Sequence, residues 1–137
     1  MNSLAQIADE TLQKYKKFKI KRNPENCALV LEISKNQIVV EEEYEQTPLE
    51  ELQEYLPQME PRYIVYSYKF ETNDGRVTYP LVLIYYSPTG INPQYSMIYT
   101  SCLAHLQNKL PGVNRCYTVK DIEELTDEWM IANLKKF

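Results

Sequence analysis

Leu4, Ile7, Ala8, Thr11, Leu12 and Tyr15 recur at three- and four-residue spacing, which predicts an amphipathic helix over Leu4 to Phe18 with Ser3 as its capping oxygen. The period then changes. Ala28 to Ser34 and Gln37 to Glu45 read as β-strands, and the polar Ser34-Lys35-Asn36 between them predicts a hairpin. Thr47-Pro48 opens a second predicted helix, with Glu50 at the capping-box position, Leu49, Leu52, Tyr55 and Leu56 as its buried stripe, and Pro57 and Pro61 beyond its end.

Arg62 to Phe70 and Val77 to Tyr86 flank Asn73-Asp74-Gly75, a turn that tolerates positive φ, and predict a second hairpin. Leu81 to Tyr86 is apolar on both faces, as expected of a strand covered on both sides of a sheet. Pro93 pre-sets the first turn of a long helix running to about Leu110, where Pro111-Gly112 stops it. A strand at Arg115 to Val119, a short helical turn at Asp121 to Leu125 and a terminal helix capped by Thr126 complete the chain. The order α-β-β-α-β-β-α-β-α predicts an α/β (α+β) sandwich.

At 137 residues, with 44% apolar and 25% charged positions, the chain is expected to form one domain over residues 1–137. The formal charge of −4 disfavours generic nucleic-acid binding. Glycines only at 75, 90 and 112 leave no material for a phosphate-cradling loop. The longest apolar run is too short to cross a bilayer, and Met1-Asn2-Ser3 does not open a signal peptide, so an intracellular protein without membrane attachment is expected. Cys27, Cys102 and Cys116 form no CxxC pair and read as reduced thiols. The charges are segregated: Lys14, Lys16, Lys17, Lys19, Lys21 and Arg22 against the acids of Glu41 to Glu54, a dipolar surface or two solvated faces. The 12 tyrosines against 3 phenylalanines are unusual, and strand propensity accounts for aromatic residues without explaining the preference for tyrosine.

Catalytic chemistry finds one nucleophile and base close in sequence, Cys102 and His105, neighbours on the long helix with no third orienting group. Cys102 falls with Ile98, Leu103, Leu106 and Leu110 on the side expected to be buried, which favours a core cysteine over a thiol-dependent enzyme. On the opposite face lie Met97, Ser101, Ala104 and Asn108, with Gln94 beside them. Small, weakly polar residues around one flexible apolar side chain suit insertion into a groove of another protein.

Ser96-Met97-Ile98-Tyr99-Thr100-Ser101, followed by Leu103, Leu106 and Leu110, resembles the long actin-facing helix of the cofilin-like, or ADF-homology, domain. Pro61 to Lys69, Asp74-Gly75-Arg76-Val77, Tyr79-Pro80-Leu81 and Leu125-Thr126-Asp127-Glu128-Trp129 resemble the glia maturation factor branch of that family, as does the basic Lys16 to Lys21. The resemblance implies a mixed five- or six-stranded sheet between two pairs of helices. It implies a non-enzymatic, cofactor-free, monomeric regulator that binds the actin-related protein 2/3 complex, inhibits branch nucleation and promotes debranching of actin filaments. It also implies a location in the cytoplasm at cortical actin, and in the nucleus as well.

By the same resemblance Asn2, Ser3, Leu4, Gln94, Met97 and Ser101 would dock on an actin-related subunit. Asp74, Arg76, Glu123 and Glu124 would face the first actin of the daughter filament, Lys19, Lys21 and Arg22 a neighbouring subunit, and Ser3 is the expected phosphorylation site. Cofilins typically carry two lysines where this chain has Gln94 and Ser96, so weaker binding of free actin is expected. A cofilin-type protein that binds actin monomers or severs filaments is the alternative.

Overall fold

A computed structural model describes residues 5–135. A six-stranded mixed sheet runs in the spatial order β1 (Gln6–Ile7), β3 (Gln37–Tyr44), β2 (Cys27–Ser34), β4 (Arg62–Ser67), β7 (Leu81–Tyr86), β8 (Arg115–Val119), with a small separate hairpin of β5 (Phe70–Glu71) and β6 (Val77–Thr78). The two outer pairings, β1 with β3 and β7 with β8, are parallel and the inner ones antiparallel. Alternation along the strands builds two cores. Leu29, Leu31, Tyr63, Val65 and Leu83 point to one face, under α1 (Asp9–Lys19) and α3 (Pro93–Asn108). Ala28, Val30, Ile64, Val82 and Ile84 point to the other, under α2 (Leu49–Leu52) and α4 (Asp127–Leu134). The doubly apolar β7 is therefore covered on both sides, and Val82, Leu83 and Ile84 are fully buried, each contributing about 1.5–3 kcal/mol of transfer free energy.

The first hairpin closes through Lys35 and Asn36, both at positive φ (52° and 63°), as a two-residue loop whose twist matches that of its strands requires. The second hairpin is interrupted. Pro80 has no N–H to give a ladder, its carbonyl accepts from Tyr68 N at 3.2 Å, and the strands beyond it separate into β5 and β6 around Gly75 (φ 86°). The predicted continuous strands over Arg62 to Phe70 and Val77 to Tyr86 are thus each broken in two.

Two predicted helices are also shorter than the periodicity implied. The first starts at Asp9 after Ala8, because Gln6 and Ile7 pair with Gln37 and Ile38 as a strand; the proposed Ser3 cap lies outside the described residues. The second is a single turn, Leu49–Leu52, with Pro48 ahead of it instead of inside it. Thr47 does not cap it, since its hydroxyl donates to Glu45 O at 3.0 Å, and Glu50 reaches across to accept from Asp127 N at 2.8 Å. Tyr55 leaves the expected stripe and stacks flat on Tyr44, with ring centroids 4.9 Å apart, at the surface. The terminal helix begins as expected, with Thr126 Oγ1 accepting from Trp129 N at 3.2 Å.

Candidate functional site

The exposed face of α3 begins with a strong start signal: Asn92 Oδ1 accepts from Gln94 N at 2.9 Å, and Pro93 holds the first helical position. Tyr99, Cys102 and Leu106 face the sheet. Tyrosine hydroxyls then fix the rotation of the helix about its axis. Tyr63 donates to Tyr99 O, Tyr85 donates to Ser96 O at 3.3 Å and is hydrogen-bonded to Thr100 Oγ1 at 3.0 Å, and Tyr99 accepts from Ile33 N at 2.8 Å. With α3 locked in this way, Gln94, Met97, Ser101, Ala104 and Asn108 all lie in solvent, and Met97 is 67% exposed. The stripe carries no charged side chain.

Two large apolar residues beside it escaped the periodic reading. Tyr95 lies about 20° from the direction of Leu106 around the helix and should point inward, yet it is 53% exposed; Ile98, expected beside Cys102 in the core, is 40% exposed. The first turns of α3 overhang the end of the sheet, so inward-pointing side chains there meet a groove lined by Ile33 and Pro61 instead of a core. No sequence signal marks where a helix outruns its sheet. Asn2, Ser3 and Leu4 of the expected site lie outside the described residues. Ala5 donates its N–H to Cys102 Sγ at 3.3 Å, which seats Ala5 against α3.

Cys102 is fully buried in the core and His105 sits half-buried at the helix edge, so the two are not presented together at the surface. Among the described residues no group of His, Cys, Asp and Glu could hold a metal ion.

Asp74 and Arg76 stand at the tip of the β5–β6 hairpin, where Arg76 Nε lies 3.0 Å from Asp74 Oδ2. The Thr72 hydroxyl and the Arg76 N–H hold the Asp74 carboxyl below the usual carboxylate range. Val77 and Tyr79, exposed beside them, extend this surface beyond the residues expected from sequence. Glu123 and Glu124 are exposed, on the helical turn Ile122–Glu124, and among the described residues no hydrogen bond or ion pair joins them to the hairpin tip. The nearest tie is a hydrogen bond: Asp127, three residues beyond Glu124, accepts from the Tyr68 hydroxyl at the hairpin base at 3.2 Å.

The dipolar surface is paired within the chain at one point, Lys21. Lys21 forms ion pairs with Glu43, at 2.8 Å, and with Glu45, and these partners raise its pKa. Lys14 and Lys17 face Glu41, Glu42 and Glu43 across a groove, and Glu41 is taken up by Arg62. Of the three basic residues expected to touch a partner, Lys19 and Arg22 are exposed and Lys21 is half-buried in its ion pairs.

The sequence model of the cofilin/tropomyosin-type actin-binding proteins matches residues 4–135. The chain is 36% identical to glia maturation factor beta of Mus musculus, covering 96% of this chain and 93% of that protein. It is 34% identical to glia maturation factor of Drosophila melanogaster, covering 98% of each. The solution structure of glia maturation factor from Caenorhabditis elegans superposes with a TM-score of 0.82 at 30% identity, over 100% of this chain and 99% of that one. The fold is shared more widely: actin depolymerization factor 2 of Plasmodium berghei has a TM-score of 0.83 at 23% identity, over 99% of this chain and all of that one. The chain therefore belongs to the cofilin/ADF family of actin regulators, within its glia maturation factor branch.

Proposed function

We propose that this protein docks on an actin-related subunit of the actin-related protein 2/3 complex through the exposed face of α3, inhibits branch nucleation and promotes loss of existing branches. The observation that carries the reading is the uncharged stripe of Gln94, Met97 and Ser101 around one protruding methionine. Such a face suits a preformed apolar cleft. The resemblance puts two cofilin lysines at Gln94 and Ser96, and without those charges affinity for free actin falls by about tenfold or more. The mechanism is differential binding: a protein that prefers the separated complex to the intact junction shifts the equilibrium towards separation by that difference in affinity. Asn2, Ser3 and Leu4 extend the docking face, with phosphorylation of Ser3 as an off switch, and Lys19 and Arg22 add a contact to a neighbouring subunit. The protein acts as a monomer of one domain, in the cytoplasm at cortical actin.

Replacement of Met97 and Ser101 by Asp tests the reading. Pulldown of the actin-related protein 2/3 complex is expected to be abolished with an unchanged circular dichroism spectrum; undiminished capture removes α3 from the interface. The description of the family as actin-binding favours a second reading, direct binding of actin. Co-sedimentation of the wild-type protein with filamentous actin, run beside the pulldown, separates the two.

A further inference from the structure

Beside the first two turns of α3, Ile33, Pro61, Tyr95 and Ile98 wall a groove of about 150 Å3, with Glu32 and Glu60 at its rim. That volume holds a few waters or the end of one long side chain. Arg62 lies next to it, 5% exposed, with Nε and Nη2 bonded to the two oxygens of Glu41 at 2.9 and 3.0 Å. The same guanidinium meets Glu60 Oε1 at 3.2 Å and Glu32 Oε1 at 3.6 Å. Three carboxylates thus share one cation. Glu41 takes the bidentate pairing, which leaves Glu32 and Glu60, the two at the groove, with single longer contacts and an excess of negative charge.

Apolar walls and an anionic rim select one ligand chemistry. A purely apolar occupant would strip water from both carboxylates without replacing it, and an anion would be repelled. A side chain with an apolar stem and a cationic head satisfies both parts of the groove, and the Tyr95 ring adds an attractive face for the cation. We propose that this groove is a socket for one Arg or Lys side chain, projected by the partner that covers the exposed face of α3. Only the identity of the carrier rests on the docking reading; the socket has its own test.

In that test the isotopically labelled protein is titrated with N-acetyl-Gly-Gly-Arg-Gly-Gly-amide and with the same peptide carrying Gln at its centre, followed by amide shifts in nuclear magnetic resonance. The Arg peptide alone is expected to give saturable shifts at Ile33, Tyr95 and Ile98. The double variant Glu32→Gln, Glu60→Gln, which keeps the bidentate Glu41 pairing of Arg62 and whose fold is checked by the dispersion of its amide spectrum, is expected to lose them. Equal shifts with the Gln peptide, or shifts that survive in the double variant, overturn the socket. A second arm measures the double variant against the actin-related protein 2/3 complex. Affinity is expected to fall by about tenfold at low ionic strength, with a weaker salt dependence than the wild type; unchanged affinity overturns the assignment to that partner. If the wild-type protein does not bind the complex while the Arg peptide still shifts the groove, the docking reading fails and the socket stands.

Discussion

Tyrosine does in this chain what phenylalanine could not. Tyr15, Tyr63 and Tyr66 are buried almost completely, and each donates its hydroxyl to a backbone carbonyl: Pro111 O, Tyr99 O and Thr47 O. The ring supplies buried area and the hydroxyl ties a loop or helix to the sheet, which accounts for a preference that strand propensity leaves open. These phenols also set an alkaline limit. Burial pushes Tyr15 and Tyr68 up to about 12, Tyr68 with help from the Asp127 carboxylate, and raises Tyr63 and Tyr66 further. In the unfolded chain tyrosine ionises near pH ~10, so above that pH the unfolded state has released protons that the native state still holds. Stability should therefore be unaffected by these groups below pH ~9 and fall steadily from about pH 10 through 12. Urea unfolding at several pH values tests this, with Tyr66→Phe as the comparison. That variant leaves Thr47 O without its tyrosine donor, loses about 1–2 kcal/mol at pH 7 and shows a shallower alkaline decline. An identical slope in the two proteins would show that Tyr66 does not contribute.

At the scale of elements, local chemistry and long-range pairing divide what the sequence reveals. The β2–β3 turn, the Pro93 start of α3, strand β8 and the Thr126 cap all rest on residues within a few positions of one another, and each stands where periodicity and turn chemistry put it. The errors fall where a distant partner decides. Ile7 fits a helical stripe as well as a strand, and only its pairing with Ile38 makes it a strand. Tyr55 fits the stripe of α2, but Tyr44 offers it a ring to stack on outside the core. Met97 and Ser101 were legible as a face because α3 is long and regular, whereas Tyr95 and Ile98 were hidden because exposure there depends on where the sheet ends. The start of α4 shows local and distant contributions side by side: Thr126 caps Trp129 N, while Glu50 from α2 accepts from Asp127 N. Thr126→Ala should lower the unfolding free energy by about 1 kcal/mol in urea titration. A loss below about 0.3 kcal/mol would mean that Glu50 and the acidic first turn hold the helix start without the cap.

Across the whole molecule, β4 and β7 separate the two proposed contact surfaces. Arg62 pairs with Tyr86 at the end from which the chain enters α3, and Ser67 pairs with Leu81 at the end that carries the β5–β6 hairpin. Six residues of extended strand span about 17–20 Å, so Met97 and the Asp74–Arg76 tip are not neighbours on one small patch. A partner seated on α3 leaves the hairpin tip available for a second molecule. Under the proposed function, binding and branch removal should then be separable by mutation. Asp74→Ala with Arg76→Ala removes an exposed ion pair and the hydrogen bonds that Asp74 accepts within the exposed turn, all outside the two cores, so the six-stranded sheet and its helices should be unaffected. The double variant is expected to keep its affinity for the isolated actin-related protein 2/3 complex within about twofold, while branch loss from filaments, counted by fluorescence microscopy, slows several-fold. If affinity and branch loss fall together, hairpin and helix serve one continuous interface. If neither changes, the second surface lies elsewhere, with the exposed Val77 and Tyr79 as the next residues to replace.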